Sequence, residues 1–81
     1  MTFDIKGFAN AVNESRLATE EGKLVIITRT GDREEHYIDS ELIGNDGFLA
    51  KTIEWRSNGK KINKDIYHIK SVNGISKDKF K

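Results

Sequence analysis

The chain has 81 residues, 33% of them charged and 36% hydrophobic, with no cysteine, no proline and a net charge of +1. That is material for one small core, and a chain this short buries only about 60% of its unfolded surface, so self-association would add useful area. The lack of cysteine excludes disulfide stapling, thiolate catalysis and cysteine-type zinc sites, and favours a cytoplasmic setting over an extracellular one.

Met1 to Lys6 shows no basic stretch followed by an apolar run, so no secretory signal is read there. The longest aliphatic run, Leu24 to Ile27, falls far short of the ~20 residues a bilayer span requires, and no membrane partner is expected.

In chain order, Ile5, Phe8, Ala9, Val12 and Arg16 recur at spacings of three and four, which predicts a helix over about residues 4–17. Asp4 is placed to cap it, and Gly22 offers a stop after Thr19, Glu20 and Glu21. From Lys23 the apolar period becomes two. Residues 23–30 contain a β-branched run suited to a central strand, and Thr30, Gly31 and Asp32 turn the chain. Residues 33–43 read as a longer strand with Ile38 and Leu42 facing inward. Asn45, Asp46 and Gly47 read as a hairpin connection into a strand over 48–56, whose Leu49, Ile53 and Trp55 share a face. Asn58-Gly59 predicts a type I′ turn into a strand over 60–66, and a last strand over 69–72 ends at Asn73-Gly74. Residues 76–81 are expected to fray.

The fold class expected is therefore α+β, mainly β: an N-terminal helix and about five short antiparallel strands. Closure into a small barrel would remove exposed strand edges; an open, strongly bent sheet with the helix on one face is the alternative.

The helix, the strand Leu24 to Thr30 closed by Gly31-Asp32, and the ending Tyr67, His68, Ile69, Lys70, Ser71, Val72 together resemble the Sm-like small β-barrel group. The resemblance is closest to the Rof-type inhibitors of termination factor Rho and more distant to the Hfq-type RNA chaperones. It covers about residues 4–75 and implies a small Sm/SH3-like barrel, contact with RNA or a Rho-like hexamer, and ring assembly. Two features depart from the group. No glycine stands at Glu35, His36 or Tyr37, where many Sm-like proteins bend the second strand, and Tyr67 precedes His68 where Hfq-type RNA sites carry lysine. Only His68 carries over as a site residue.

Charge is divided unevenly. Residues 1–50 hold five basic and ten acidic side chains, a net −5, whereas residues 51–81 hold nine basic and three acidic, a net +6. The second half therefore predicts a basic hairpin in which Trp55, Arg56, Lys60, Lys61 and Lys64, followed by His68 and Lys70, contact single-stranded RNA or a nucleic-acid-handling protein. Lysines would neutralise phosphates while an aromatic face stacks a base. The competing reading of Trp55 is a core residue, since it shares a face with Ile53. An alternative use lies in the acidic half, where Glu35, Asp39 and Glu41 would form a surface for a protein-directed inhibitor of the phage or mobile-element kind. A third is a homo-oligomer assembled through an exposed strand edge.

Catalytic signatures are lacking. No glycine-framed nucleophile, phosphate cradle, HExxH or EF-hand spacing occurs, so the sequence reads as a non-enzymatic regulatory module with no cofactor and no metal ion.

Overall fold

In a computed structural model the described residues are 3–17 and 22–81. Helix α1 spans Ile5–Leu17, and its first turn is held by Asp4, whose Oδ1 accepts the Gly7 N–H at 3.0 Å. Ile5, Phe8, Ala9 and Val12 form its buried stripe, as their spacing predicts. The Arg16 side chain, and Thr19, Glu20 and Glu21, lie outside the described residues. No helix among the described residues is long and apolar enough to cross a membrane.

The fold class is α+β and mainly β, with seven strands in two antiparallel sheets. The first sheet has the order β2-β1-β6-β7, built from Arg33–Tyr37, Lys23–Thr28, Ile69–Val72 and Ile75–Ser76. The second has the order β3-β4-β5, built from Ile43–Asp46, Lys51–Ser57 and Lys60–Asp65. Asn58 and Gly59, at φ 52° and 79°, turn β4 into β5, as the Asn-Gly pair predicts; Asn73 and Gly74, at φ 51° and 80°, end β6 where expected but also turn the chain into β7, a strand the sequence pattern does not announce.

The strand expected over 33–43 is broken. It becomes β2, an irregular passage through residues 38–42, and β3, because this stretch carries the chain from one sheet to the other. Ile38 donates its N–H to Gly22 O at 3.1 Å, on the β1 side, while Asp39 donates to Arg56 O at 2.8 Å, on the β4 side. Arg56 in turn donates its N–H to Ser40 Oγ at 3.0 Å, so a side chain stands in for a ladder carbonyl. Ile38 and Leu42 are both buried, as expected.

Asn45 and Asp46 belong to β3 and are not the turn. The Asn45 amide donates across the ladder to Glu54 Oε1 at 2.7 Å, which holds it in register, and the turn falls at residues 47–50. The strand expected over 48–56 accordingly starts at Lys51, and Leu49 does not join Ile53 and Trp55 in the core. Residues 76–81 are tied down. Beyond β7 a 3-10 turn covers Lys77–Phe80, its start capped by Ser76 Oγ, which accepts the Asp78 N–H at 3.2 Å. The Phe80 ring packs edge-on to Phe8 at 5.7 Å, and its carbonyl accepts the Asp4 N–H at 2.6 Å.

The core lies between the sheets and under the helix: Leu24 and Ile26 of β1, Ile53 and Trp55 of β4, Ile69 and Val72 of β6, and the α1 stripe. Helix α1 rests on β3 and β4. At this contact a Cβ on Gly44 would lie 2.8 Å from Ile5 O, so only glycine admits the helix there. Asn13 fastens the same contact, accepting the Leu42 N–H at 2.8 Å and donating to Leu42 O at 2.9 Å. Replacing Asn13 by alanine leaves two main-chain groups without these partners. N13A should lose about 2 kcal/mol and roughly 10 °C in Tm, measured by thermal unfolding; an unchanged Tm would refute the role.

Candidate nucleic-acid interface

The site expected around Trp55 is not formed. Ile53 and Trp55 are both inward residues of β4, and the indole is only 1% exposed, with the His36 ring edge-on at 5.2 Å. A ring sealed in this way offers no face to a base, which overturns its expected stacking role. The alternation of β4 and β5 also divides the cations of the hairpin. Arg56 and Lys61 face each other across the ladder on the outer side, whereas Lys64 lies opposite inward Ile53. Lys64 forms an ion pair with Glu34 of β2, Lys61 lies 3.5 Å from Glu54, and Lys51 pairs with Asp46. The basic half of the chain is therefore interleaved with carboxylates. Arg56, Lys60 and Lys70 are exposed and form no ion pair within 4.0 Å among the described residues, although the Arg56 charge still acts on Glu54.

The acidic surface is dispersed in the same manner. Glu35 binds Lys23 at 2.7 Å and Arg33 at 3.3 Å, and the Lys23 hydrogen bond, helped by the Arg33 charge, holds its carboxyl below the ordinary carboxylate value. Asp39 accepts the Gly59 N–H at 3.4 Å beside the β4–β5 turn. Glu41 lies against α1, bordering a 280 Å³ hollow with Asn10 and Asn13.

A different group is assembled at the junction of the sheets. The 3-10 turn Ile66–His68 links β5 to β6, with Asp65 accepting the Tyr67 N–H at 2.9 Å and Ile66 anchored in the core. Anchoring Ile66 turns Tyr67 and His68 outward, and Tyr67 is 56% exposed. Arg29, just past β1, donates its N–H to His68 O at 2.9 Å and sets its guanidinium 4.4 Å from the centre of the Tyr67 ring. The His68 ring meets Tyr67 edge-on at 5.3 Å. Thr28, Arg29, Thr30, Asp32, Glu34, Lys64 and His68 border an adjoining cavity of about 230 Å³. Lys70 is the extra residue of a bulge, since Ile27 pairs with Ser71 and Thr28 with Ile69.

Three of the expected residues, Lys64, His68 and Lys70, thus belong to this end of the molecule, joined by Arg29 and Tyr67, which the sequence reading did not select. Arg29 had no local signal, because its partners stand almost forty positions away. Tyr67 is legible in the sequence as an aromatic among the cations of the second half, but nothing local ranks it above Trp55 as the stacking ring. No protein-family model, curated protein or solved structure matches the chain.

Glu34 is one of the residues lining this cavity. Its carboxyl is held below its ordinary value of 4.5, first by the Lys64 hydrogen bond and then by His36, whose Nε2 lies 3.2 Å away. A carboxyl lowered on folding contributes stability fully above its unfolded value, and that contribution disappears as the pH falls through the lowered one. Urea unfolding of the parent and of Glu34→Gln should therefore differ at about pH 7 and converge towards about pH 3. A gap that persists at low pH would refute the assignment.

Proposed function

We propose that the protein is a non-enzymatic regulatory module that binds single-stranded RNA at the Arg29, Tyr67 and His68 cluster, with the exposed Lys70 contacting phosphate. The observation that carries this reading is the exposed Tyr67 ring with a guanidinium against it and a histidine at its edge. Unpaired bases stack on aromatic and guanidinium planes, whereas duplexes hide their bases from both. The mixed lining of the adjoining cavity, with hydroxyls, carboxylates and cations, suits sugar hydroxyls and base edges better than a bare anion. The likeness to the Sm-like and Rof-type group supports RNA or an RNA-handling protein as the target, in a cytoplasmic setting. A protein-directed inhibitor of the phage or mobile-element kind acting through the acidic residues is the reading this one displaces, because Glu35 already has two cationic partners.

The test is a titration of labelled single-stranded RNA at low and high salt. Tyr67→Ala and Arg29→Ala should each weaken binding roughly tenfold, in keeping with about 1–3 kcal/mol for one stacked base. Lys70→Glu should weaken it and lessen the salt dependence. No saturable binding at low salt, or equal binding by the Tyr67 and Arg29 variants, would overturn the proposal.

A further inference from the structure

The turn between β3 and β4 ends in two large apolar side chains with no cover: Phe48 is 101% exposed and Leu49 92%. Single exposed apolar residues are ordinary, but an adjacent pair at full exposure on a tight turn is a projection. The turn is closed tightly, since a Cβ on Gly47 would stand 2.5 Å from Ala50 O. Its base is neutralised by the Asp46–Lys51 ion pair, so the tip is apolar and carries no net charge into a contact.

The same molecule has a groove of matching character. Phe3, Ile66, Tyr67, Lys77, Asp78 and Lys81 border a hollow of about 240 Å³. A 150 Å³ apolar cavity suffices for benzene, so a phenyl ring fits with room for part of a neighbour. The rim charges are satisfied internally: Lys77 Nζ donates to Ile66 O at 3.2 Å and Lys81 lies 3.3 Å from Asp78. Phe3 borders both this groove and a second hollow shared with Asp46 and Lys51 at the foot of the turn, so projection and groove flank one residue.

We propose that the 47–50 turn and the Phe3–Ile66–Tyr67 groove are the two halves of a reciprocal dimer contact, in which each copy of the chain seats Phe48 and Leu49 in the groove of the other. Adjacent, self-complementary halves are what a twofold contact requires, because one rotation then satisfies both copies. An aromatic side chain buries roughly 150–250 Å². Two Phe-Leu pairs, each with its leucine only partly seated, and the surfaces beneath them bury on the order of 1,000 Å², the range of weak, concentration-dependent contacts and below the roughly 1,200–2,000 Å² of stable interfaces. A lipid surface is the poorer occupant, since an interfacial anchor wants cations beside its apolar residues and Lys51 is already held by Asp46. Tyr67 borders this groove as well as the RNA-binding cluster, but the test below is made on Phe48, Leu49 and Lys77, none of which belongs to that cluster.

The mass of the full chain in solution, followed by light scattering over a range of concentrations, tests it. The parent should pass from monomer to dimer as concentration rises, and the double variant Phe48→Ser with Leu49→Ser should stay monomeric with an unchanged circular dichroism spectrum. Because the chain has no cysteine, a Phe48→Cys chain mixed with a Lys77→Cys chain should form a mixed disulfide dimer on oxidation. A parent that remains monomeric, a double variant that still dimerises, or monomeric protein that floats with phosphatidylcholine vesicles in a Phe48-dependent way would each overturn the proposal.

Discussion

The seating of Trp55 is the constraint from which the rest of this molecule follows. The indole fills the space between the two sheets, and with Ile53 it fixes which side of β4 faces inward. Because side chains alternate strictly along a strand, that choice decides the exposure of every neighbour. Arg56 and Lys61 are sent outward, where Lys61 meets Glu54, and Lys64 is sent across to Glu34. A hairpin that looks uniformly cationic as a string of letters becomes, once the ring is inside, a surface on which Lys51, Lys61 and Lys64 are paired and Arg56 and Lys60 stand apart.

The two crossings between the sheets shape the candidate site. At the first, residues 38–42 give up regular pairing so that Ile38 and Leu42 both enter the core while Asp39 and Ser40 keep the Arg56 backbone bonded. At the second, the 3-10 turn places Ile66 inside and leaves Tyr67 and His68 at the surface beside Arg29. Such junctions interrupt the ladder, and side chains there project where neither sheet covers them. That is why the aromatic and cationic residues gather at this end and not along the hairpin.

The periodic signals were legible. The helix stripe, the Asp4 cap, the Asn58-Gly59 turn, the strand end at Asn73-Gly74 and the inward positions Ile38, Leu42 and Ile53 all have local causes in spacing or in backbone preference. Readings that depended on distant partners were not. Asn45 and Asp46 have turn-like composition, yet the Asn45 bond to Glu54 keeps them in a strand. The tail reads as polar and terminal, yet Phe80 against Phe8 and the Asp4–Phe80 main-chain bond order it. In each case a contact between residues far apart in sequence outweighs the local preference.

Composition and pattern by themselves determined a small α+β chain, its alternation of helix and strand, and the division of charge between its halves. Only the tertiary structure decided which charges cancel, which aromatic ring is sealed and which is presented. The reason is range. Helix and strand periodicity and turn preferences act over a few residues, whereas the Lys64–Glu34 pair and the Arg29–Tyr67 contact join positions some thirty to forty residues apart. They exist only after the two sheets have closed over the core.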